Sequence, residues 1–319
     1  MEPYSIQLAQ HGDYTEIAAC LAEVRGADYY TAQIYNPMHL RDSGRYKFFT
    51  AKTESGELAG SIGISEGLFD ETLCVVGMLA IKMRFTGMGI GTALCIKAFE
   101  YARQQNIPSA KGHLALDHEK VQKALERQSC IPTGLLFGVR DCAKGNPVEA
   151  VHGDRRSLVI YTKQGAKQDA GRLYITGELQ GIARDVYNRL GVSFSLDDRS
   201  VAGSHSVIGH FTDSHHGVLY IQVKECGIDL SENIFALLAS IEQLGCSTAT
   251  LLLDINHPSA AYGCELLRDM GFLFSGFDPL GRECEHIILH YKGRAKWLVE
   301  DMQTTQTLKE FINEVLSFE

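Results

Sequence analysis

Three glycines in five residues, Gly87-Met88-Gly89-Ile90-Gly91, separate a strand-like apolar run ending at Lys82 from a helix-like run opening at Thr92. Few arrangements constrain a chain as tightly. Alternating glycines let the backbone turn sharply and approach a ligand closely. The N–H groups at the helix start then point outward with the positive end of the helix dipole, which suits an anion. The same residues also serve a plain strand-to-helix turn with no ligand. Two phosphate motifs are excluded: no Lys-[Ser/Thr] pair follows the glycines, and their spacing is G-x-G-x-G, not G-x-G-x-x-G.

Charge gathers around this turn. The chain has 30 Lys+Arg against 39 Asp+Glu, a net −9. Between Lys82 and Arg127, however, eight Lys/Arg stand against four acids, a local net of +4. A basic island in an acidic chain suits a polyphosphate ligand, or forms a solvated helix face. The overall charge argues against nucleic acid or an anionic membrane as partner.

At 319 residues, with 45% hydrophobic and 22% charged, the composition is that of a globular chain of about two domains. Periodicity predicts strands at Tyr4–Leu8, Lys47–Thr53, Leu58–Ser65, Thr72–Lys82, Ala110–Leu116, Leu135–Val139 and Ser157–Thr162. Helices are expected at Asp13–Glu23, Thr92–Gln105 and His118–Gln128, the second with Leu94, Cys95, Ala98, Phe99 and Ala102 as its apolar stripe. Glu54-Ser55-Gly56-Glu57 reads as a hairpin turn.

Beyond residue 165 the order recurs more faintly. Strands are expected at Arg172–Thr176, His205–Phe211, Val218–Val223, Thr248–Ile255, Phe272–Phe277 and Glu285–Tyr291. Helices are expected at Leu179–Leu190, Ile234–Leu244, Pro258–Met270 and, at the end, Trp297–Phe318. The fold class is α/β with mixed sheet, in two related units.

The nine cysteines are odd in number and irregularly spaced, with no C-x-x-C pair, and read as reduced core thiols of a cytoplasmic protein. Cys74 and Cys130 lack a partner nearby in sequence. His205, His210, His215 and His216 carry no metal-ligand spacing, and no metal is expected. The N-terminus has no basic-then-apolar leader pattern, and no apolar run is long enough to span a bilayer.

The segment from Leu79 to Leu94 resembles the coenzyme-A-binding motif of the GNAT superfamily of N-acetyltransferases, V-x-P-x-x-R-G-x-G-I-G-x-x-L between a strand and a helix. Ile81 stands at the Val position, Met83 at Pro and Thr86 at Arg; Gly87, Gly89, Ile90, Gly91 and Leu94 match. The resemblance implies acetyl-CoA or another acyl-CoA as co-substrate, held by Leu79, Ile81, Thr86, Gly87, Met88, Gly89, Ile90, Gly91 and Thr92. The departure at Thr86 removes a basic residue, with Arg84 close by in sequence. Residues 1–164 look like one GNAT domain and 165–295 like a degenerate second, followed by a C-terminal helix at 296–319.

The resemblance further implies direct transfer of an acyl group to an amine: a small molecule, a protein N-terminus or a lysine. A homodimer is the expected assembly. Many family members place a Tyr acid four residues before a G-F pair; here that position is Leu125, and Leu267 in the second half. Candidate bases are Asp117, His118 and Glu66, with Asp70 and Glu71 nearby. The alternative is a non-catalytic module that binds acyl-CoA or a protein partner.

Overall fold

The computed structural model describes residues 3–25, 42, 46–66, 74–116, 119–140, 155–214, 216–281, 284–293 and 304–318. The first half runs β1 (Tyr4–Leu8), α1 (Asp13–Arg25), β2 (Tyr46–Thr53), β3 (Leu58–Glu66), β4 (Cys74–Ile81), α2 (Ile90–Gln104), β5 (Ser109–Ala115), α3 (Glu119–Glu126), β6 (Ile131–Arg140) and β7 (Arg156–Gln164). The second runs β8 (Asp169–Tyr174), α4 (Gln180–Leu190), β9 (Ser193–Asp197), β10 (Val207–Asp213), β11 (Val218–Glu225), α5 (Leu230–Ala239), β12 (Thr248–Asp254), α6 (Ala260–Asp269), β13 (Phe272–Asp278) and β14 (His286–Tyr291). Helix α7 (Gln306–Leu316) follows. No described helix is long and apolar enough to cross a membrane.

Twelve strands form one sheet, in the order β1-β2-β3-β4-β5-β7-β6-β13-β14-β12-β11-β10. From β6 outward, 6-7-5-4-3 mirrors 13-14-12-11-10. The senses agree as well: β4–β5 and β11–β12 are parallel, and their flanking pairs are antiparallel. Each parallel pair is joined through a helix, as a parallel connection requires.

The two halves meet where β6 pairs with β13, at Gly134↔Gly276. A Cβ on Gly134 would lie 2.9 Å from Phe277 O, and one on Gly276 would lie 2.6 Å from Thr133 O and 2.7 Å from Gly134 Cα. Only glycine permits this approach. Both glycines stand five residues after a residue of positive φ, Ser129 (60°) and Gly271 (89°), which turns the chain into its strand.

Leu136, Leu158 and Ile160 of the first half share one buried cluster with Tyr220, Leu252 and Ile288 of the second. Buried polar contacts reinforce it. Lys111 Nζ meets Asp278 Oδ1 at 2.5 Å with Lys111 only 2% exposed. Burial alone would raise the Asp278 pKa, but the charge of Lys111, with His286 and His113, holds that carboxyl below its ordinary value. Ser109 Oγ donates to Leu280 O at 3.2 Å. Helix α7 lies on β6 and β13. Its cap, Thr305, accepts from Leu308 N–H at 3.2 Å and donates its hydroxyl to Glu126 Oε1 at 2.6 Å, where the Tyr161 hydroxyl also donates at 2.8 Å.

Several sequence expectations are corrected. Strand β9 was not anticipated. With β8 it forms a separate parallel pair and does not extend the sheet beyond β10. Its pairing with β8 is parallel, with α4 as the crossover that a parallel connection requires. Helix α5 spans Leu230–Ala239, not Ile234–Leu244. Past Ala239, the N–H groups of Ser240 and Ile241 turn back to Leu237 O and Leu238 O, and Ser240 Oγ takes Leu237 O as well, closing the helix early. The terminal helix begins at Gln306, where Thr305 caps it; residues 297–303 of the expected helix lie outside the described residues. The first strand after α3 begins at Ile131, earlier than Leu135.

Two outcomes are expected. Gly276→Ala will destabilise more than Gly134→Ala, by about 2 kcal/mol or more, because its Cβ meets two backbone atoms, at 2.6 and 2.7 Å, against one at 2.9 Å for Gly134, and because only Gly276 has a positive φ, 106°. Gly134's nearest obstacle, at 2.5 Å, is the movable end of Ile288. Urea unfolding of both variants checks the order. The second concerns His290, whose pKa burial pushes down to about 3, helped by the charge of Arg155. The unfolded chain takes up that proton near pH 6.5 and the folded chain does not, so stability falls as pH drops from about 6.5 towards 3, by at most ~1.4 kcal/mol per pH unit. Melting curves at pH 7 and pH 5 will show a smaller acid loss in His290→Gln than in the parent.

Candidate functional site

Strands β4 and β5 stay paired through only Cys74↔Ala110, Val75↔Lys111 and Val76↔Gly112. Both then continue, β4 to Ile81 and β5 to Ala115, without pairing to each other. A gap opens between two parallel strands at this fork. Its β4 wall is irregular. Gly63 pairs with Gly77 and Ser61 with Ala80, so β4 carries one residue more than β3 across that interval, a β-bulge. Met78 sits in the bulge at φ 53°, left-handed backbone that a non-glycine residue adopts only under constraint.

The glycine turn stands at the far end of β4. A short 3₁₀ turn at Met83–Phe85 leads into Thr86, whose N–H and hydroxyl both turn back to Met83 O. Gly87 and Gly89 have φ of 79° and 78°, and a Cβ on either would meet nothing within 4 Å. The face of the turn is therefore open. Gly91 is different: its Cβ would touch Ile81 Cγ1 and Leu79 Cδ2, each at 3.7 Å, so the helix start rides on the end of β4. Helix α2 has Gly89 as its cap, with no capping side chain and no acid in its first turn. Its first carbonyl is Gly89 O, taken by Ala93 N–H. The amides of Ile90, Gly91 and Thr92 precede that bond and have no helical acceptor. The stripe Leu94, Cys95, Ala98, Phe99 and Ala102 is buried as expected.

The basic residues beside the turn are already engaged. Glu57, on the β2–β3 hairpin, pairs with Arg84 and lies 3.4 Å from Lys82. Arg84 thus answers a carboxylate of its own chain. Leu125 lies buried over the fork: one of its methyl carbons would stand 3.2 Å from a Cβ on Gly112. The position where the resemblance implies a tyrosine therefore presents hydrocarbon. The neighbouring Glu126 is occupied by Tyr161 and Thr305. Burial, then Glu126, raises the Tyr161 pKa, which keeps its hydroxyl protonated.

Of the candidate bases, Asp117 and His118 lie outside the described residues, directly after β5, as do Asp70 and Glu71. Glu66 ends β3, paired with Cys74 at the opposite end of β4 from the glycines. Leu79, Ile81 and residues 86–92 converge where β4 meets α2. Cys130 is 2% exposed and burial pushes its thiol up to about 12, an inert core residue. The bulge at Met78 was not anticipated from sequence. Its only trace is Gly77, which is ambiguous within an apolar strand.

The fork, the bulge and the open glycine turn lie along one strand, β4, and its junction with α2. Residues 14–128 match the model of the acetyltransferase (GNAT) family. The similarity to a GNAT acetyltransferase domain thus spans residues 14–128. No curated protein matches the chain. Solved structures that resemble it include an N-acetyltransferase from Staphylococcus aureus Mu50, at 14% identity over 51% of this chain and 98% of that one, TM-score 0.42. Another is the ribosomal-protein-S18-alanine N-acetyltransferase from Escherichia coli, at 11% identity over 50% and 92%, TM-score 0.39. A third is a spermidine N-acetyltransferase chimera from Vibrio cholerae and hSSAT, at 15% identity over 50% and 95%, TM-score 0.40.

The strain at Gly89 can be tested without ligand. Gly89→Ala will cost about 1 kcal/mol from its left-handed backbone, and Gly89→Asn less, because Asn tolerates that conformation. Thermal melting of the two variants checks the ranking.

Proposed function

We propose that the chain is an acetyl-CoA-dependent N-acetyltransferase, and that acyl-CoA binds in its first half. The observation that carries this reading is the open glycine turn at the head of α2, with the amides of Ile90, Gly91 and Thr92 ahead of the first helical bond, set at the end of a strand that parts from its neighbour. Met88 to Thr92 supply backbone donors for the pyrophosphate, and no acid in the first helical turn opposes them. Leu79 and Ile81 line the approach from β4, and Thr86 fixes the turn through its bonds to Met83 O. Acetyl-CoA, when bound, supplies the activated carbonyl that an acceptor amine attacks directly within a ternary complex.

The chain's own part is to bind, orient and move protons. An ammonium acceptor must lose a proton before it attacks, and Asp117 or His118, which follow β5 in sequence, is the assigned base, with Glu66 as the other candidate. Leu125 gives no proton to a leaving thiolate, so water serves there. The acceptor is a small amine or a protein amine. The chain is read as two GNAT-like units, 1–164 and 165–295, followed by the terminal helix. A second reading, a module that binds acyl-CoA without turnover, is favoured by one observation: the aliphatic Leu125 over the fork.

Acetyl-CoA will raise the melting temperature of the parent by mass action. Gly89→Asp will lose that shift and Gly89→Asn will keep most of it, since only the former sets a carboxylate before the amides. Free-thiol release with a panel of amines then separates the readings. Asp117→Asn or His118→Gln will lower turnover about 10²–10⁴-fold if the enzyme reading holds. A thermal shift with no thiol release on any amine favours the second reading, and no shift with a folded parent sinks both. Glu57→Gln, which releases Arg84 and Lys82, will tighten acetyl-CoA binding several-fold at low salt and less at high salt, as read by titration calorimetry.

A further inference from the structure

The second half has counterparts of the fork and the glycine turn, and its own chain closes both. This argument rests on the proposal that the halves are copies of one acyl-CoA fold. Strands β11 and β12 correspond to β4 and β5. They stay paired through six positions without a break, from Val218↔Thr248 to Val223↔Leu253, where β4 and β5 part after three. No gap opens between them.

The turn after β11 leads into α5 as the glycine turn leads into α2, but the N–H groups of Cys226, Gly227 and Ile228, just ahead of the helix, are already used, and the first helical turn carries the Glu232 carboxylate. Gly227 N–H donates to Ser206 Oγ at 2.9 Å, and Ile228 N–H to Gly203 O at 3.0 Å. Cys226 N–H donates to Ser259 Oγ at 2.8 Å, and Cys226 O accepts from Gly203 N–H at 2.8 Å. Asp229 Oδ1 accepts from Ser206 N–H at 2.8 Å, fixing the segment from its other side. A Cβ on Gly227 would stand 2.3 to 2.7 Å from the backbone of His205, whereas Gly87 and Gly89 face open space. Residues 203–206 therefore lie directly on the turn.

The end of β12 is closed in the same manner. Asn256 Nδ2 donates to Ala170 O at 2.9 Å and to Arg172 O at 3.0 Å, and its Oδ1 accepts from Glu285 N–H at 2.8 Å. Strand β8 thus occupies the amide that follows β12. Glu225 and Asp229 add carboxylates where a phosphate would need donors.

We infer that the chain takes a single acyl-CoA, in its first half, and that residues 203–206 are the built-in occupant of the second half. Ser206 Oγ and Gly203 O fill the acceptor positions that phosphate oxygens would fill on an open turn. Gly227 is buried with His205 packed against its Cα, so no ligand reaches that amide while the segment is in place.

Titration calorimetry of the full chain with acetyl-CoA, together with hydrogen exchange of residues 84–94 and 224–232, tests this. The expected result is one equivalent bound, lost in Gly89→Asp, with new protection at 84–94 and none at 224–232. Two equivalents would overturn the inference. So would one equivalent that survives Gly89→Asp or protects 224–232. If the folded parent binds nothing, the acetyltransferase reading and the single-site inference both fail, whereas two equivalents overturn the inference alone.

Discussion

Two backbones touching at Gly134 and Gly276 make this molecule one body. A Cβ on either residue would collide with main-chain oxygen across the seam, so the strands approach only because both side chains are absent. Through this contact a seven-stranded array and a five-stranded array become one sheet. The shared apolar cluster, the Lys111–Asp278 pair and the seating of α7 over β6 and β13 all depend on that closeness. A buried ammonium is costly without a partner, and Lys111 finds its partner only on the other half.

The site depends on the opposite condition, the absence of contact. Strands β4 and β5 belong to a sheet that is otherwise hydrogen-bonded, yet they part after Val76↔Gly112. The bulge at Met78 sits just past this point, and the open turn follows at the end of the same strand. Leu125 covers the fork from above. Protein-fixed donors oriented before a ligand arrives need no reorganisation when it does, which is how a backbone cradle works without many cations. The cations nearest to it are held by Glu57, so the amides of the turn are its immediate donors.

The first half was legible because its signals are local. Alternation, helical stripes and a glycine turn are written within a few residues of each other, and the order β-α-β-β-β-α-β-α-β-β across residues 4–164 follows from them. The second half was legible in order but not in placement. Strands β8 and β9 pair with each other and stay out of the large sheet, and nothing in strand periodicity encodes that. The plug at 203–206 was equally hidden: the sequence pattern puts His205 and Ser206 in the strand that in fact begins at Val207, and only the bonds to Gly227 and Ile228 show the segment folded onto the turn. The bulge and the role of Thr305 are tertiary facts as well: one residue's worth of extra strand, and a cap whose second partner is 179 positions away.

The pairing of Lys111 with Asp278 bears on what counts as a unit here. In sequence, a boundary near residue 164 looks natural, because the pattern finishes and begins again. In stability there is no such boundary. A chain ending there would keep an ammonium on β5 with its carboxylate gone, leave Leu136, Leu158 and Ile160 facing water, and present β6 as an unpaired edge ready to add a strand from another molecule. The strand order repeats, but the folding is not divided: the half that carries the open turn is solvent-proofed by the half that has none.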